Sequence, residues 1–146
     1  MSNTLQETVQ CTATDVSNPK HHRAKTWTVN VDTAKAEIHK AGISTQGKSG
    51  YPHPYRNHDK LDWAVRTCKK ANIDLLEYPI FWEGHAPIDN TKKTAQQASS
   101  PLRVVYANDR GTAVYCGAMT HTQAKKQESV DRQEPWQGLA GFAMCT

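Results

Sequence analysis

The chain has 146 residues, 37% hydrophobic and 22% charged, with a mean hydropathy of −0.74. That is the length of one ordinary domain with a thin core, and no run approaches the roughly 20 apolar residues that a membrane-spanning helix requires. A formal charge of +4 and an isoelectric point near 8.9 permit a polyanionic partner without demanding one.

Residues 1–10 have no basic segment followed by an apolar run and do not read as a signal peptide. They read as an N-terminal tail ahead of a single domain over 11–146. The polar, basic stretch 18–25 (NPKHHRAK) reads as a hairpin tip, and 25–31 (KTWTVNV) alternates like a strand. A helix follows, with Asp32 as its N-cap, Ala34, Ala36, Ile38 and Ala41 as an apolar stripe, and Gly42 as its stop. The Gly- and Pro-rich segment after it is loop, extended at Tyr51 to Tyr55. Residues 74–82 read as a strand and 83–100 as a long polar loop. Two β-rich runs around Asn108-Asp109-Arg110-Gly111 read as a hairpin. A second polar loop, 123–137, leads to a last strand. These elements predict an α+β fold in which one helix packs on a central antiparallel sheet, with an N-terminal β-hairpin and long surface loops.

The four cysteines, Cys11, Cys68, Cys116 and Cys145, show neither C-x-x-C nor zinc-ligand spacing. They allow three disulfide pairings. A bridge from Cys11 to Cys145 would tie the chain ends and contribute about 4–5 kcal/mol by loop-closure entropy. His21, His22, His39, His58 and His85 have no metal-ligand spacing either, and neither metal nor cofactor is expected.

Three strands carry a charge where a small domain rarely places one. Glu77 lies in LLEYPIF, Arg103 in LRVVY and His121 in YCGAMTHT. An ion pair between Glu77 and Arg103, with His121 a satisfied edge histidine, would account for them without catalysis. The set of carboxylate, guanidinium and imidazole is also what RNA cleavage without a metal needs. A base removes the ribose 2′-OH proton, an acid protonates the departing 5′-oxygen, and a cation holds the phosphate. Another histidine, His53, stands in a Pro-rich loop.

The blocks YPHPYRNHDKLDW, LLEYPIF, LRVVYANDRG, CGAMTHT and GFAMCT resemble, in order and chemistry, the fungal guanyl-specific ribonuclease superfamily. Nearly the whole chain, from about Cys11 to Cys145, is similar to its ribosome-inactivating branch, the ribotoxins of the small insect-pathogen type. The resemblance implies Glu77 as general base, His121 as general acid, His53 assisting at the 2′-OH and Arg103 on the phosphate. It implies Tyr51 and Tyr106 as hydrogen-bond partners around the phosphate, with Phe142 packed beside it. Guanine would be held by Asn57 and nearby amides, by Asp59 at its N1/N2 edge and by Tyr55 on its face. The implied disulfides are Cys11–Cys145 and Cys68–Cys116.

The resemblance further implies a secreted endoribonuclease, monomeric, that cuts 3′ to guanine and acts in the cytosol of target cells. Its substrate would be the sarcin–ricin loop of large-subunit rRNA, with ribosomal proteins and acidic membrane surfaces as further partners. Lys20, Arg23, Lys25, Lys92, Lys93, Lys125 and Lys126 are the candidate ribosome contacts, since they crowd the extended loops. The alternatives are a general guanyl-specific ribonuclease without ribosome targeting and a catalytically silent RNA-binding effector.

Overall fold

The computed structural model describes residues 7–94, 97–128 and 134–146. The expectation of an N-terminal tail therefore lies outside the described residues over 1–6, while Thr8–Gln10 already belong to the first strand. In chain order the elements are β1 (Thr8–Asp15), β2 (Arg23–Asn30), α1 (Val31–Ala41), β3 (His53–Tyr55), a 3₁₀ turn (Arg66–Lys69), β4 (Asp74–Ile80), β5 (Leu102–Asp109), β6 (Thr112–Lys126) and β7 (Trp136–Met144).

β1 and β2 form the N-terminal hairpin, registered from Thr8↔Asn30 to Asp15↔Arg23. The sheet runs β2-β1-β6-β5-β4-β3, with β7 also paired to β6. Every pairing is antiparallel except β1 with β6, which run parallel over Thr14↔Gln123 and Asp15↔Ala124. The sheet is thus mixed at that one seam. The turn between β5 and β6 is two residues long, with Arg110 at φ 54° and Gly111 at φ 90°. Two positive φ values suit the right-handed twist of a tight hairpin. The second polar loop is shorter than predicted, because β6 continues to Lys126 and β7 begins at Trp136.

The helix starts directly at the end of β2. Asn30, not Asp32, is its N-cap: the Asn30 side chain accepts from the Thr33 amide at 2.9 Å. Asp32 falls in the first turn, where its charge favours the positive end of the helix dipole. Val31, Ala34 and Ile38 are buried, whereas Ala36 faces solvent. Ala34 and Ile38 pack on one sheet face with Trp27, Val29, Leu76, Tyr78, Leu102, Val104 and Tyr106. A smaller cluster of Tyr55, Trp63, Val105, Ala107 and Met119 covers part of the other face. Both disulfides form as implied: Cys11–Cys145 across 134 residues and Cys68–Cys116 across 48.

Candidate active site

Strand alternation decides which side chains meet. His53 is paired with Glu77, and Glu77 with Val105, so their side chains share the sheet face turned away from the helix. Arg103, paired with Pro79 and Met119, lies on the same face two residues along β5. His121 stands on β6 opposite Phe142. One cleft therefore gathers an exposed imidazole, a mostly buried carboxylate, a mostly buried guanidinium and a second imidazole.

The Arg103 guanidinium is held from behind. Its Nη1 donates to the carbonyls of Ser100 (2.6 Å) and Leu102 (2.8 Å), and its Nη2 donates to the Tyr51 hydroxyl (3.2 Å). Its plane lies over the Tyr51 ring, 5.3 Å from the centroid. Five N–H donors less these three leaves Nε–H and one Nη2–H uncommitted, a fork suited to two phosphate oxygens. Arg103 Nε sits 3.6 Å from Glu77 Oε1, close enough for an ion pair but too long for a hydrogen bond, and it is buried without a hydrogen-bond partner.

Burial pushes the Glu77 carboxyl above its usual range, with Arg103 and His53 offsetting part of the shift. Burial also pulls the His121 imidazole below its usual value, and Arg103 adds to that, while the backbone of Ala140 and Gly141 and the charge of Asp59 oppose it.

A β-bulge orients His121. Between His121↔Phe142 and Gln123↔Leu139, β7 carries one more residue than β6. Ala140, in the bulge, has φ 65°, the left-handed region. Its carbonyl lies 3.0 Å from His121 Nδ1. A carbonyl can only accept, so Nδ1 carries a proton and Nε2 is the nitrogen left for substrate. The Phe142 ring packs on one side of the imidazole, centroids 4.1 Å apart and planes tilted by 34°. On another side the imidazole lies against Gly138, where a Cβ would overlap His121 Cδ2 and Cγ.

Beside His53 and Glu77 is a cavity of about 360 Å³ lined by Tyr55, Arg56, His58, Asp59 and Phe142. Asp59 Oδ2 accepts from the Phe142 amide (3.2 Å), and its carboxylate lies against Gly141, where a Cβ would come within 2.6 Å of Oδ1. Tyr55 is largely buried, edge-on to Trp63 and Phe142.

One implied contact needs correction. Tyr106 points to the opposite, helix-covered face, fully buried, and its hydroxyl donates to the Gly42 carbonyl at 2.7 Å. Its place in β5, odd against Arg103, leaves it no access to the cleft. The Asn57 side chain accepts from Tyr55 Oη and the Leu61 amide and donates to the Leu61 carbonyl. It shapes its loop, with φ 52°, and leaves its backbone and its second Nδ2–H for a ligand.

Sequence reasoning missed Gly138, Ala140, Arg56 and His58. The two glycines of GLAG inside a strand were the available signal for a bulge and a close approach. The basic residues sit on the surface as expected, but not equally. Lys126 Nζ pairs with Glu134 at 2.7 Å and Lys25 Nζ lies over Trp27 and Trp136, whereas Lys20, Lys92, Lys93 and Lys125 stand exposed.

Residues 13–132 match the family model described as ribonuclease. This chain belongs to the ribonuclease family. The ribonuclease is 32% identical over 89 residues to guanyl-specific ribonuclease U1 of Ustilago sphaerogena, covering 60% of this chain and 70% of that protein. Its fold matches hirsutellin A from Hirsutella thompsonii with a TM-score of 0.72 and 40% identity, covering 95% of this chain and 98% of the other. It also matches restrictocin, an Aspergillus ribotoxin, with a TM-score of 0.70 over 96% and 99% of the two chains; at 18% identity that likeness concerns the fold. The ribonuclease is thus an endoribonuclease acting on RNA.

Proposed function

We propose that this ribonuclease cuts RNA 3′ to guanine by transphosphorylation, and that its substrate is the sarcin–ricin loop of large-subunit rRNA. The observation that carries the chemistry is the register of His53 against Glu77, with Arg103 and His121 on the same face. Glu77, helped by His53, takes the 2′-OH proton. The 2′-oxygen attacks phosphorus, and the 5′-oxygen leaves with a proton from His121 Nε2, giving a 2′,3′-cyclic phosphate. Tyr51 holds the Arg103 fork that takes up the charge growing on the non-bridging oxygens. Guanine lies in the cavity beside Asp59, whose carboxylate is the acceptor that its N1 and N2 donors require.

Ribosome targeting is favoured by the 40% identity to hirsutellin A over nearly the full chain and by the exposed Lys92 and Lys93 in the loop between β4 and β5. The two disulfides suit an exported protein. A general guanyl-specific ribonuclease is the second reading, favoured by the relative from Ustilago sphaerogena.

The deciding experiment incubates the protein with intact eukaryotic ribosomes and with naked RNA, with and without a chelator. One discrete fragment from the 3′ end of the large rRNA, unaffected by chelation, is expected. Degradation of both substrates at many guanines leaves the guanyl reading standing and removes the ribosome-directed one.

A further inference from the structure

A cavity of about 400 Å³ lies on the helix side of the sheet, between α1 and the segment that follows β4. The helix contributes Thr33, Ala34 and Glu37, neighbours on one of its faces, and Phe81, Trp82, Glu83 and His85 form the opposite wall. That wall is held in place by the protein alone. The Glu83 amide donates to the Thr28 carbonyl of β2 (3.0 Å) and the His85 amide to the Trp82 carbonyl (3.1 Å). The Trp82 ring packs on Trp27, centroids 5.7 Å apart, and the His85 ring stacks flat on Phe81 at 4.1 Å. A preformed cavity of this size is on the scale of a small-molecule site.

We propose that this cavity binds a small free organic amine, a protonated ammonium group on an apolar body. The charge of the wall gives the sign of the ligand. It carries two carboxylates, Glu37 and Glu83, and no lysine or arginine, in a chain whose formal charge is +4. A phosphate would be repelled there, which separates this cavity from the RNA cleft around Arg103. Among the described residues neither carboxylate has an ion-pair partner. Glu37 is half-buried, and burial raises its carboxyl while Lys40 offsets only part of that. A carboxylate stripped of water gains most from a cation brought beside it.

His85 adds to the same potential. Its Nδ1 lies 2.7 Å from the Ala86 carbonyl, which can only accept, so Nδ1 carries a proton. Its Nε2 is buried without a hydrogen-bond partner and, in the neutral ring, keeps its lone pair. The apolar body follows from the rings. Phe81 and Trp82 supply flat hydrocarbon surface, and their π-systems attract a cation. A lysine side chain of another protein would bring the same charge, but a cavity of this volume takes a whole small molecule.

The test titrates the oxidised full chain, followed by amide NMR, with phenethylammonium, its uncharged counterpart phenethyl alcohol, and N-acetyl-lysine methylamide. Phenethylammonium should bind saturably with a Kd of about 1 mM or tighter, and move the amides of Thr33, Ala34 and Glu37 and of Phe81 to His85. Phenethyl alcohol should bind about tenfold more weakly or worse. Glu37→Gln should weaken the ammonium about threefold or more, leave the alcohol unchanged, and cleave the dinucleotide GpA at the wild-type rate. Glu83→Gln, at an exposed side chain, is an independent second variant with the same expected pattern. Shifts centred on His53, Glu77 and His121 would put the amine in the catalytic cleft and overturn the assignment. So would equal affinity for the ammonium and the alcohol, no saturation by about 10 mM, or undiminished ammonium binding in both glutamine variants. Tighter binding of the lysine amide than of phenethylammonium would make the cavity a socket for a protein side chain and defeat the free-amine assignment.

Discussion

Burial acts in opposite directions on the two titratable groups that bracket the scissile bond. It raises the Glu77 carboxyl and lowers the His121 imidazole, so the pH window in which the first is ionised and the second protonated is narrowed from both sides. The kcat/KM profile on GpA is expected to be a bell with its maximum on the acid side of neutrality. Its alkaline limb should lie below that of a free imidazole. Glu77→Gln and His121→Gln should each lower kcat by about 10²–10⁴-fold with unchanged circular dichroism. A raised carboxyl also has a stability consequence. The ionised form is disfavoured in the folded state, so the cost is full above the raised pKa and vanishes where Glu77 is protonated in both states. Glu77→Gln should therefore be at least as stable as the wild type at pH 7, the difference closing towards pH 4. Urea denaturation of both proteins at the two pH values checks this. Gly138→Ala makes a different demand, because its methyl group has to displace the His121 ring. It should reduce kcat more than it raises KM and shift the imidazole resonance titration, neither of which a change confined to surface packing does.

At the scale of elements, the bulge in β7 and the alternation of β5 divide the work between two faces. Leu102, Val104 and Tyr106 build the core under the helix, while Arg103 faces the cleft. Tyr106→Phe should leave GpA cleavage unaltered and cost about 1 kcal/mol through loss of the hydrogen bond to Gly42, measurable by chemical denaturation. Loss of activity instead would return Tyr106 to the site. The strands and the three charges of the cleft were legible in the sequence because an ionised side chain in an apolar run violates the ordinary pattern. Alternation alone also set Tyr106 apart from Arg103, a signal that the family resemblance overrode. The Asn30 cap was obscured because the strand Arg23–Asn30 runs into the helix without a loop. The parallel seam of β1 with β6 joins residues distant in sequence, and no local pattern encodes it; the glycines of GLAG signal a close approach at Gly138 but not that His121 is the side chain it meets.

For the molecule as a whole, the exposed lysines and the disulfides make separable predictions. Lys92→Gln with Lys93→Gln should weaken cleavage of ribosomes and flatten its salt dependence between about 50 and 200 mM, while GpA cleavage stays constant. Lys126, already paired with Glu134, should matter less. The two disulfides close loops of different length, a difference worth about 1 kcal/mol in loop-closure entropy. The Cys11–Cys145 bridge, reinforced where the Thr146 amide donates to the Gln10 carbonyl, makes the described fold a covalent ring. A protease that opens the long segment between β4 and β5 cuts between Cys68 and Cys116 as well as inside that ring. The two fragments then remain joined by both bridges, each carrying part of the cleft: His53 and Glu77 on one, Arg103 and His121 on the other. The nicked protein should migrate as one species until it is reduced, and keep its catalytic groups facing one another after the peptide chain is severed.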